Sequence, residues 1–334
     1  MTTIGIIANP MAGKDIRRLV AHGRYVSNNE KVNTLRRLFV GLDSIGIEQV
    51  LMMPDYDGIS SNCKTYKSKN LNIETLNMRL IDNEMDSTNA AKLLKELKVD
   101  CIVTLGGDGT NRAVAKGCTT IPLLPISTGT NNVFPENIEG TIAGIAAGLI
   151  SKNLVDLNKT TYKSKLLEIW IDKSLKDIAL VDIAVSFTDS LGAKAIWTTS
   201  ELSEIFVIKA KSTATGLSSI AYMLSGDELN EDRGIHIKTS STNNHNLKVP
   251  LAPGLIKSVP IKNWNYIEMN STTTIPQSSC ILALDGERTL SVKSSSQIEI
   301  VLKKDGPIVI CTDKVIEQAA LNNIMYNTAI DDPT

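Results

Sequence analysis

A glycine-rich turn between an apolar run and a helical pattern is the feature that most restricts how this chain can fold. Residues 99–105 (VDCIVTL) are typical of a buried strand, and residues 111–116 begin a helix. Three glycines, Gly106, Gly107 and Gly109, lie between them, so the chain turns within a few residues. Glycine lets a ligand approach the backbone, and the amides at a helix N-terminus attract anions. The turn therefore predicts a strand–helix unit with a phosphate site.

Asp108 stands inside this turn and needs an explanation of its own. A carboxylate repels a phosphate unless a cation lies between them, or unless it orients or deprotonates a hydroxyl that attacks the phosphorus. On this interpretation Asp108 is catalytic and holds a metal ion, directly or through water. The alternative is that Asp108 caps the following helix. The turn alone does not decide between these roles.

The composition indicates a globular chain with room for about two domains. It has 334 residues, 42% of them hydrophobic, and its net charge of −1 argues against a nucleic-acid partner held by bulk charge. Its five cysteines are widely spaced and form no CxxC pair, so the sequence indicates neither a disulfide framework nor a zinc site. Without a signal-peptide pattern or a bilayer-length apolar run, we expect a cytoplasmic protein with no integral membrane segment.

Strands and helices alternate in the first half of the sequence, and strands separated by turns dominate the second half. We expect residues 1–150 to form an α/β nucleotide-binding domain with a parallel, Rossmann-like sheet. Residues 151–311 are expected to form a β-rich, antiparallel substrate-binding domain, with residues 307–311 as its last strand and residues 271–279 as a polar loop. Residues 312–334 are expected to form a C-terminal helix that returns to the first domain.

Two other predicted strands of the first half also end in small and polar residues. After the first strand these are Asn9, Pro10, Gly13 and Lys14. This loop lacks the spacing of a P-loop; it can hold a nucleotide phosphate or form a plain Asn-Pro turn. After the strand over residues 121–126 they are Thr128, Gly129, Thr130, Asn131 and Asn132. Their hydroxyls and carboxamides can recognise a ribose or an adenine edge.

Three further segments are candidates for substrate binding or catalysis. A hydroxyl-rich segment before a helical stretch contains Thr215, Gly216, Ser218, Ser219 and Tyr222. It can bind ribose or phosphate oxygens, or it can be a capped loop. Asp285-Gly286-Glu287 is first a hairpin-turn signal and second a place for a catalytic Glu287. Arg17 and Arg18 can bind phosphates or an acidic substrate, or can lie on a solvated helix face.

Together these segments resemble the superfamily of NAD kinases and diacylglycerol or sphingosine-type lipid kinases. Residues 106–110 match its GGDGT motif, and the Asn9-Pro10 loop resembles its NPxxG loop. Residues 215–222 resemble the NAD-kinase TGSTAY segment, and residues 285–287 match the DGQ of NAD kinases and the DGE of lipid kinases. The N-terminal run, NPMAGKDIRRLVAH included, is similar to the acetoin catabolism protein X group. The resemblance implies the two-domain fold of NAD kinases.

The resemblance also implies roles for individual residues. Asp108 would be the catalytic or substrate-orienting carboxylate, the motif glycines would bind phosphate through their amides, and Glu287 would be a general base. Gly129, Thr130 and Asn131 would belong to a nucleotide loop like that of lipid kinases. ATP and Mg²⁺ would be the cofactors, with NAD as a possible substrate. Because many relatives assemble, we also expect a homo-oligomer, either a dimer or a tetramer.

One position departs from the NAD-kinase pattern. Where NAD kinases carry an Asn-Glu pair that contacts the dinucleotide, this chain has Val181-Asp182, so one hydrogen-bonding anchor is missing and Asp182 keeps a shorter acid. The sequence therefore predicts an ATP-dependent kinase that phosphorylates a hydroxyl, with NAD as the first choice of acceptor. A lipid or other small-molecule kinase and a non-catalytic NAD or ATP sensor are the alternatives.

Overall fold

The computed structural model describes residues 1–13, 22, 25–129, 131–187, 202–230, 232–240, 246–286 and 288–326. The first half of the chain supplies all but one strand of a seven-stranded sheet, whose order is β3-β2-β1-β4-β5-β18-β6. The strands are β1 (Thr3–Ala8), β2 (Gln49–Met52), β3 (Asn72–Thr75), β4 (Cys101–Gly106), β5 (Leu123–Ser127), β6 (Thr161–Lys163) and β18 (Ile308–Ile310). Strands β1 to β5 pair in parallel, as expected from the alternation of strands and helices.

Helices cover both faces of this sheet. They are α1 (Asn28–Ser44), α2 (Ile59–Cys63), α3 (Glu84–Glu96), α4 (Asp108–Gly117), α5 (Gly140–Ser151), α6 (Leu157–Thr160) and α8 (Thr312–Leu321). One apolar cluster joins α1 and α5 to the sheet, and another joins α3 and α4 to it. The backbones of α1 and α5 approach closely, because a Cβ at Gly144 would lie 2.1 Å from the carbonyl oxygen of Leu38.

Most of the second half forms two antiparallel sheets. A seven-stranded sheet has the order β12-β13-β11-β10-β9-β15-β16, and a four-stranded sheet has the order β14-β17-β7-β8. The strands are β7 (Leu166–Ile171), β8 (Ser174–Ala179), β9 (Asp182–Ser186), β10 (Glu204–Val207), β11 (Arg233–Thr239), β12 (Asn246–Ala252), β13 (Leu255–Glu268), β14 (Thr272–Ile275), β15 (Cys280–Leu284), β16 (Arg288–Val292) and β17 (Ile298–Lys303). The two sheets enclose an apolar core. Helix α7 (Leu217–Ser225) packs on a second apolar cluster of the larger sheet.

Residues 271–279 and residues 307–311 differ from the expectations. Residues 271–279, predicted as a loop, contain β14, where Ile275 is buried and pairs with Ile298. Residues 307–311 were expected in the antiparallel half, but β18 joins the first sheet, parallel to β5 and antiparallel to β6. A three-residue apolar strand carries no local signal of its partner, so a long-range contact decides where it pairs.

The C-terminal helix α8 packs against α5, with Val315 and Ala319 in the apolar cluster of the first sheet. It ends at Leu321, earlier than the stretch predicted as helical. The domain boundaries at residues 150 and 311 stay predictions. Across the described ranges, no helix combines the length and the apolarity needed to cross a bilayer.

Candidate functional site

The glycine-rich turn connects β4 to α4 as predicted. Strand β4 ends at Gly106, Gly107 is the N-cap, and Asp108 is the first residue of the helix. The alternative role of Asp108 as the helix cap is therefore wrong. A Cβ at Gly106 would lie 2.4 Å from Cβ of Thr110, which explains the absence of a side chain there. Asn111 donates to the carbonyl oxygen of Gly107 at 2.9 Å and fixes the turn from within the helix.

The Asp108 carboxylate points toward the loop that follows β5. Its Oδ1 accepts hydrogen bonds from the backbone amides of Val133 at 3.0 Å and Phe134 at 2.7 Å. Its Oδ2 accepts from the Val133 amide at 3.1 Å. The side chain is only 8% exposed, so these bonds fix its orientation in a partly dry environment. The chain thus holds one carboxylate rigidly at the helix N-terminus, where phosphate binding is expected.

The loop after β1 lies beside this turn. Asn9 donates from Nδ2 to Oγ1 of Thr110 at 2.9 Å, and its backbone amide donates to the carbonyl oxygen of Leu105 at 3.0 Å. Gly13 has a φ of +74°, and a Cβ there would lie 2.5 Å from the carbonyl oxygen of Thr128. Only glycine fits this combination of conformation and contact. The loop therefore touches both the glycine-rich turn and the loop after β5.

Lys31 of α1 stabilises this loop by hydrogen bonds to its backbone. Its Nζ donates to the carbonyl oxygens of Asn9 at 3.0 Å and Pro10 at 2.8 Å, and to Oδ1 of Asn28 at 3.0 Å. The side chain is almost completely buried. Sequence analysis missed this residue, because a lysine within an amphipathic helix gives no sign that it is buried.

The loop after β5 is braced by its own side chains. Asn132 donates to Oγ of Ser127 at 2.9 Å, and the Thr128 amide donates to the carbonyl oxygen of Gly106 at 3.3 Å. Oγ1 of Thr128 is buried and has no hydrogen-bond partner within the described part of the chain. A buried hydroxyl without a partner is costly, so this oxygen fits a ligand group that enters the site.

The hydroxyl-rich segment before α7 contacts the same loop. Thr215 donates from its hydroxyl to Oδ1 of Asn131. Gly216 has a φ of +88° and its amide donates to the carbonyl oxygen of Pro250 at 3.0 Å. Ser219 donates to the Gly216 carbonyl oxygen at 2.7 Å, so its hydroxyl stabilises the turn. Ser218 has a buried hydroxyl without a partner in the described ranges, while Tyr222 packs against the apolar cluster under α7.

The Asp285-Gly286 turn lies between β15 and β16, where Leu284 pairs with Arg288, so the connection has three residues. Asp285 and Gly286 have positive φ, +47° and +69°, a conformation that Asp and Gly adopt more readily than most residues. The buried Asp285 carboxylate accepts from the amides of Leu180 at 3.1 Å, Val181 at 2.8 Å and Asp182 at 3.2 Å. Burial raises the pKa of Asp285, while the nearby Arg112 lowers it. Asp285 therefore anchors the hairpin to β9, a role that the turn signal did not predict.

Val181 and Asp182, which stand where NAD kinases carry an Asn-Glu pair, are both buried. Val181 is buried in an apolar cluster that includes Leu180 and is flanked by Ala214. An asparagine at this position would bury its polar carboxamide among apolar side chains, which is unfavourable. Asp182 is buried on β9 and pairs with Val207 of β10.

Arg112 connects the two halves of the molecule. Its guanidinium contacts Glu84 of α3 at 2.8 Å, Asp177 of β8 at 3.1 Å and Asp285 at 3.8 Å. The arginine lies two residues after the GGDGT motif but was not recognised from the sequence, since its acidic partners are far away along the chain.

Five predicted site residues lie outside the described residues: Lys14, Arg17, Arg18, Thr130 and Glu287. Among the described residues, no three His, Cys, Asp or Glu side chains are grouped so as to hold a metal ion. A divalent cation at Asp108 would therefore need most of its ligands from water and from nucleotide phosphates, which is how Mg²⁺ is often bound in phosphoryl-transfer sites.

Two solved structures of a putative diacylglycerol kinase from Bacillus anthracis are similar to this chain at 13% identity, each with a TM-score of 0.46. One alignment covers 92% of this chain and 97% of that chain, and the other covers 94% and 98%.

Sequence comparisons give a closer relationship. The profile for the ATP-NAD kinase N-terminal domain matches residues 4–153, and the profile for the acetoin catabolism protein X C-terminal domain matches residues 165–305. Acetoin catabolism protein X of Cupriavidus necator is 35% identical over 312 residues, covering 90% of this chain and 87% of that protein. With this identity over nearly its whole length, the chain belongs to the acetoin catabolism protein X family.

Proposed function

We propose that this protein is an ATP-dependent kinase that phosphorylates a hydroxyl, with NAD as the first acceptor to test. The observation that carries the proposal is the fixed Asp108 carboxylate at the N-terminus of α4, where the loops after β1 and β5 meet. Such a carboxylate suits the orientation of an attacking hydroxyl. The match of residues 4–153 to an ATP-NAD kinase domain supports the same activity.

We assign a role to each group of residues from its place in the site. The first amides of α4 have no partner within the helix and would donate to phosphate oxygens, next to Thr110 and the orphaned hydroxyl of Thr128. Asp108 would orient the acceptor hydroxyl and receive its proton, with Glu287 as a further base. Bound Mg²⁺ would neutralise charge on the transferred phosphoryl group. Lys14, Arg17 and Arg18 are proposed to contact phosphates, and Asp182, Thr215 and Ser218 to contact the acceptor.

A second candidate is a nucleotide-binding protein without turnover. The buried apolar packing of Val181 favours it, because the carboxamide that contacts the dinucleotide in NAD kinases is absent from this position. We also propose a cytoplasmic location, supported by the five free cysteines, four of which are buried.

The test is phosphorylation of an acceptor panel by the purified full chain. Wild type is incubated with Mg-ATP and NAD, NADH, diacylglycerol or a polyol, and release of ADP is measured. We expect ADP with NAD and a loss of about 10²- to 10⁴-fold in turnover for Asp108→Asn. The asparagine keeps one oxygen for the amides of Val133 and Phe134, so the fold is expected to persist.

The matched control is Asp305→Asn, which makes the same change at an exposed site. It should leave turnover unchanged. Turnover with diacylglycerol alone would make the protein a lipid kinase, and nucleotide binding without ADP release from any acceptor would favour the sensor. Full activity in Asp108→Asn would contradict the proposed role of Asp108.

A further inference from the structure

A cavity of about 360 Å³ lies beside the Asp108 site and is lined by several cationic side chains. Its walls come from the loop after β5, from β6 and from the segment that follows β10. The polar and aromatic residues that matter here are Phe134, Glu136, Tyr162, Lys165, Lys209 and Lys211. Three lysines against one glutamate give the lining an excess of positive charge.

Lys209 is the central cation of this cavity. Its Nζ contacts the Tyr162 hydroxyl at 2.9 Å and the carbonyl oxygen of Phe134 at 3.5 Å, and it lies 4.8 Å from the centre of the Phe134 ring. Across the described ranges, Lys209 forms no ion pair. Burial lowers the pKa of Lys209, although Glu136 and Asp108 oppose this effect. A cation so placed is incompletely compensated by the protein and would be stabilised by a bound anion.

The other two lysines have different surroundings. Lys165 donates to the backbone carbonyl oxygens of Leu229 at 2.5 Å and Arg233 at 2.7 Å, so its ammonium serves the fold. Lys211 lies 3.7 Å from the carboxylate of Glu136, a long contact with a half-exposed partner. Lys209 and Lys211 are therefore the two cations best placed to meet a ligand, and they are separated by one residue.

The cavity adjoins the proposed catalytic carboxylate through a single residue. The amide of Phe134 donates to Asp108, and the carbonyl oxygen of the same residue faces Lys209. A molecule that presents a hydroxyl to Asp108 can therefore extend past Phe134 into the cavity. Because the lysines there attract negative charge, the part that enters would be an anion.

We propose that this cavity binds an anionic group, a phosphate or a carboxylate, of the molecule whose hydroxyl is phosphorylated at Asp108. The proposal rests on the proposed kinase function and narrows its acceptor to an anionic alcohol rather than a neutral one. The pyrophosphate of a dinucleotide and the charged group of a smaller phosphorylated alcohol present the same chemistry. Lys209 is the principal specificity determinant, and Lys211 adds to the positive field.

Binding of inorganic pyrophosphate, measured by calorimetry without ATP, tests the cavity separately from turnover. We expect Lys209→Met to weaken binding at least tenfold and Lys211→Met at least threefold. Lys257→Met removes an exposed lysine from β13 and should stay within twofold of wild type. Asp108→Asn should bind pyrophosphate no more weakly than wild type, since it removes a nearby negative charge. Equal affinities in wild type and Lys209→Met would overturn the proposal, whatever the outcome for turnover.

A second measurement keeps the test valid if Lys209→Met folds poorly. Acylation of Lys209 in the wild-type chain, followed by mass spectrometry, should be slowed at least fivefold by pyrophosphate, while acylation of Lys257 should not change. Unchanged acylation of Lys209 would also overturn the proposal. Displacement of pyrophosphate by NAD identifies a dinucleotide acceptor, and displacement by glycerol 3-phosphate alone identifies a small phosphorylated alcohol. Displacement by uncharged glycerol at equal concentration would contradict an anion site.

Discussion

Charged side chains that are buried or half-buried in this protein fall into two groups, according to the groups that hydrogen-bond to them. Asp285 accepts hydrogen bonds from three backbone amides, and Lys165 donates to the carbonyl oxygens of Leu229 and Arg233. Lys209 meets a phenol hydroxyl and one distant carbonyl oxygen. The first two residues therefore stabilise the fold, whereas Lys209 retains capacity for a ligand. Sequence patterns do not separate these cases, because the partners are set by tertiary contacts.

The lowered pKa of Lys165 leads to a prediction about how stability depends on pH. Burial lowers its pKa from 10.5 to about 8; Asp232 opposes the shift, whereas Lys209 and Lys304 add to it. Between these pH values the unfolded chain binds more protons than the folded chain, so the contribution of Lys165 to stability rises with pH. The free energy of unfolding of wild type should increase relative to Lys165→Met from pH 7.5 to pH 10, measured by urea denaturation. If the free energy of unfolding of wild type instead decreases relative to that of Lys165→Met over this pH range, the pKa of Lys165 in the folded state is not lowered.

At the scale of elements, the loop after β1 depends on Lys31 of helix α1 for its hydrogen bonds. Lys31 of α1 reaches the carbonyl oxygens of Asn9 and Pro10, and the loop in turn reaches Thr110 of α4. Lys31→Met would leave half-buried carbonyl acceptors without their donor, with a cost of about 1–3 kcal/mol. We expect lower stability and at least tenfold weaker ATP binding, measured by denaturation and calorimetry. Lys95→Met, at an exposed position of α3, should change neither.

The individual strands indicate how much of the fold could be predicted from the sequence. The parallel pairing of β1, β2, β4 and β5 followed from alternating apolar and helical segments, and the glycine-rich turn lies where its pattern placed it. Strands β3 and β14 were missed because they are four-residue, mostly polar strands. Strand β18 was recognised but given to the wrong sheet, because its pairing with β5 and β6 depends on contacts across the whole chain.

For the candidate site, sequence motifs located the loops but not their supports. Asn9, Gly13, Asp108 and Asn131 were selected from local patterns. In the structure Asn9 contacts the glycine-rich turn, Gly13 and Asp108 contact the loop after β5, and Asn131 in that loop contacts Thr215. Lys31, Arg112 and Lys209 were not selected, because each is an ordinary surface residue type until the folded structure buries it. The sequence therefore predicted the motif residues, and the tertiary structure identified the charges around them.

At the scale of the whole molecule, the Arg112 cluster couples the α/β half to the antiparallel half. Arg112 lies in α4, whereas Asp177 and Asp285 belong to strand β8 and the β15–β16 turn. Arg112→Met would leave Asp285 without its cation, although Lys116 and Arg288 still face Asp177. Breaking a buried ion pair costs about 3–5 kcal/mol. We expect a loss of stability of this size, and unfolding in two steps where wild type unfolds in one.

The pH dependence of this variant separates lost charge compensation from lost packing. Arg112 lowers the pKa of the buried Asp285, so its removal lets burial raise that pKa further. Protonation of Asp285 then removes its uncompensated charge. The loss in free energy of unfolding of Arg112→Met relative to wild type should therefore be smaller at pH 5 than at pH 8. Denaturation at both pH values measures it, with Arg79→Met at an exposed position as the control. If Arg112→Met loses the same free energy of unfolding at both pH values, the loss comes from packing alone. The two halves would then be coupled by apolar contacts.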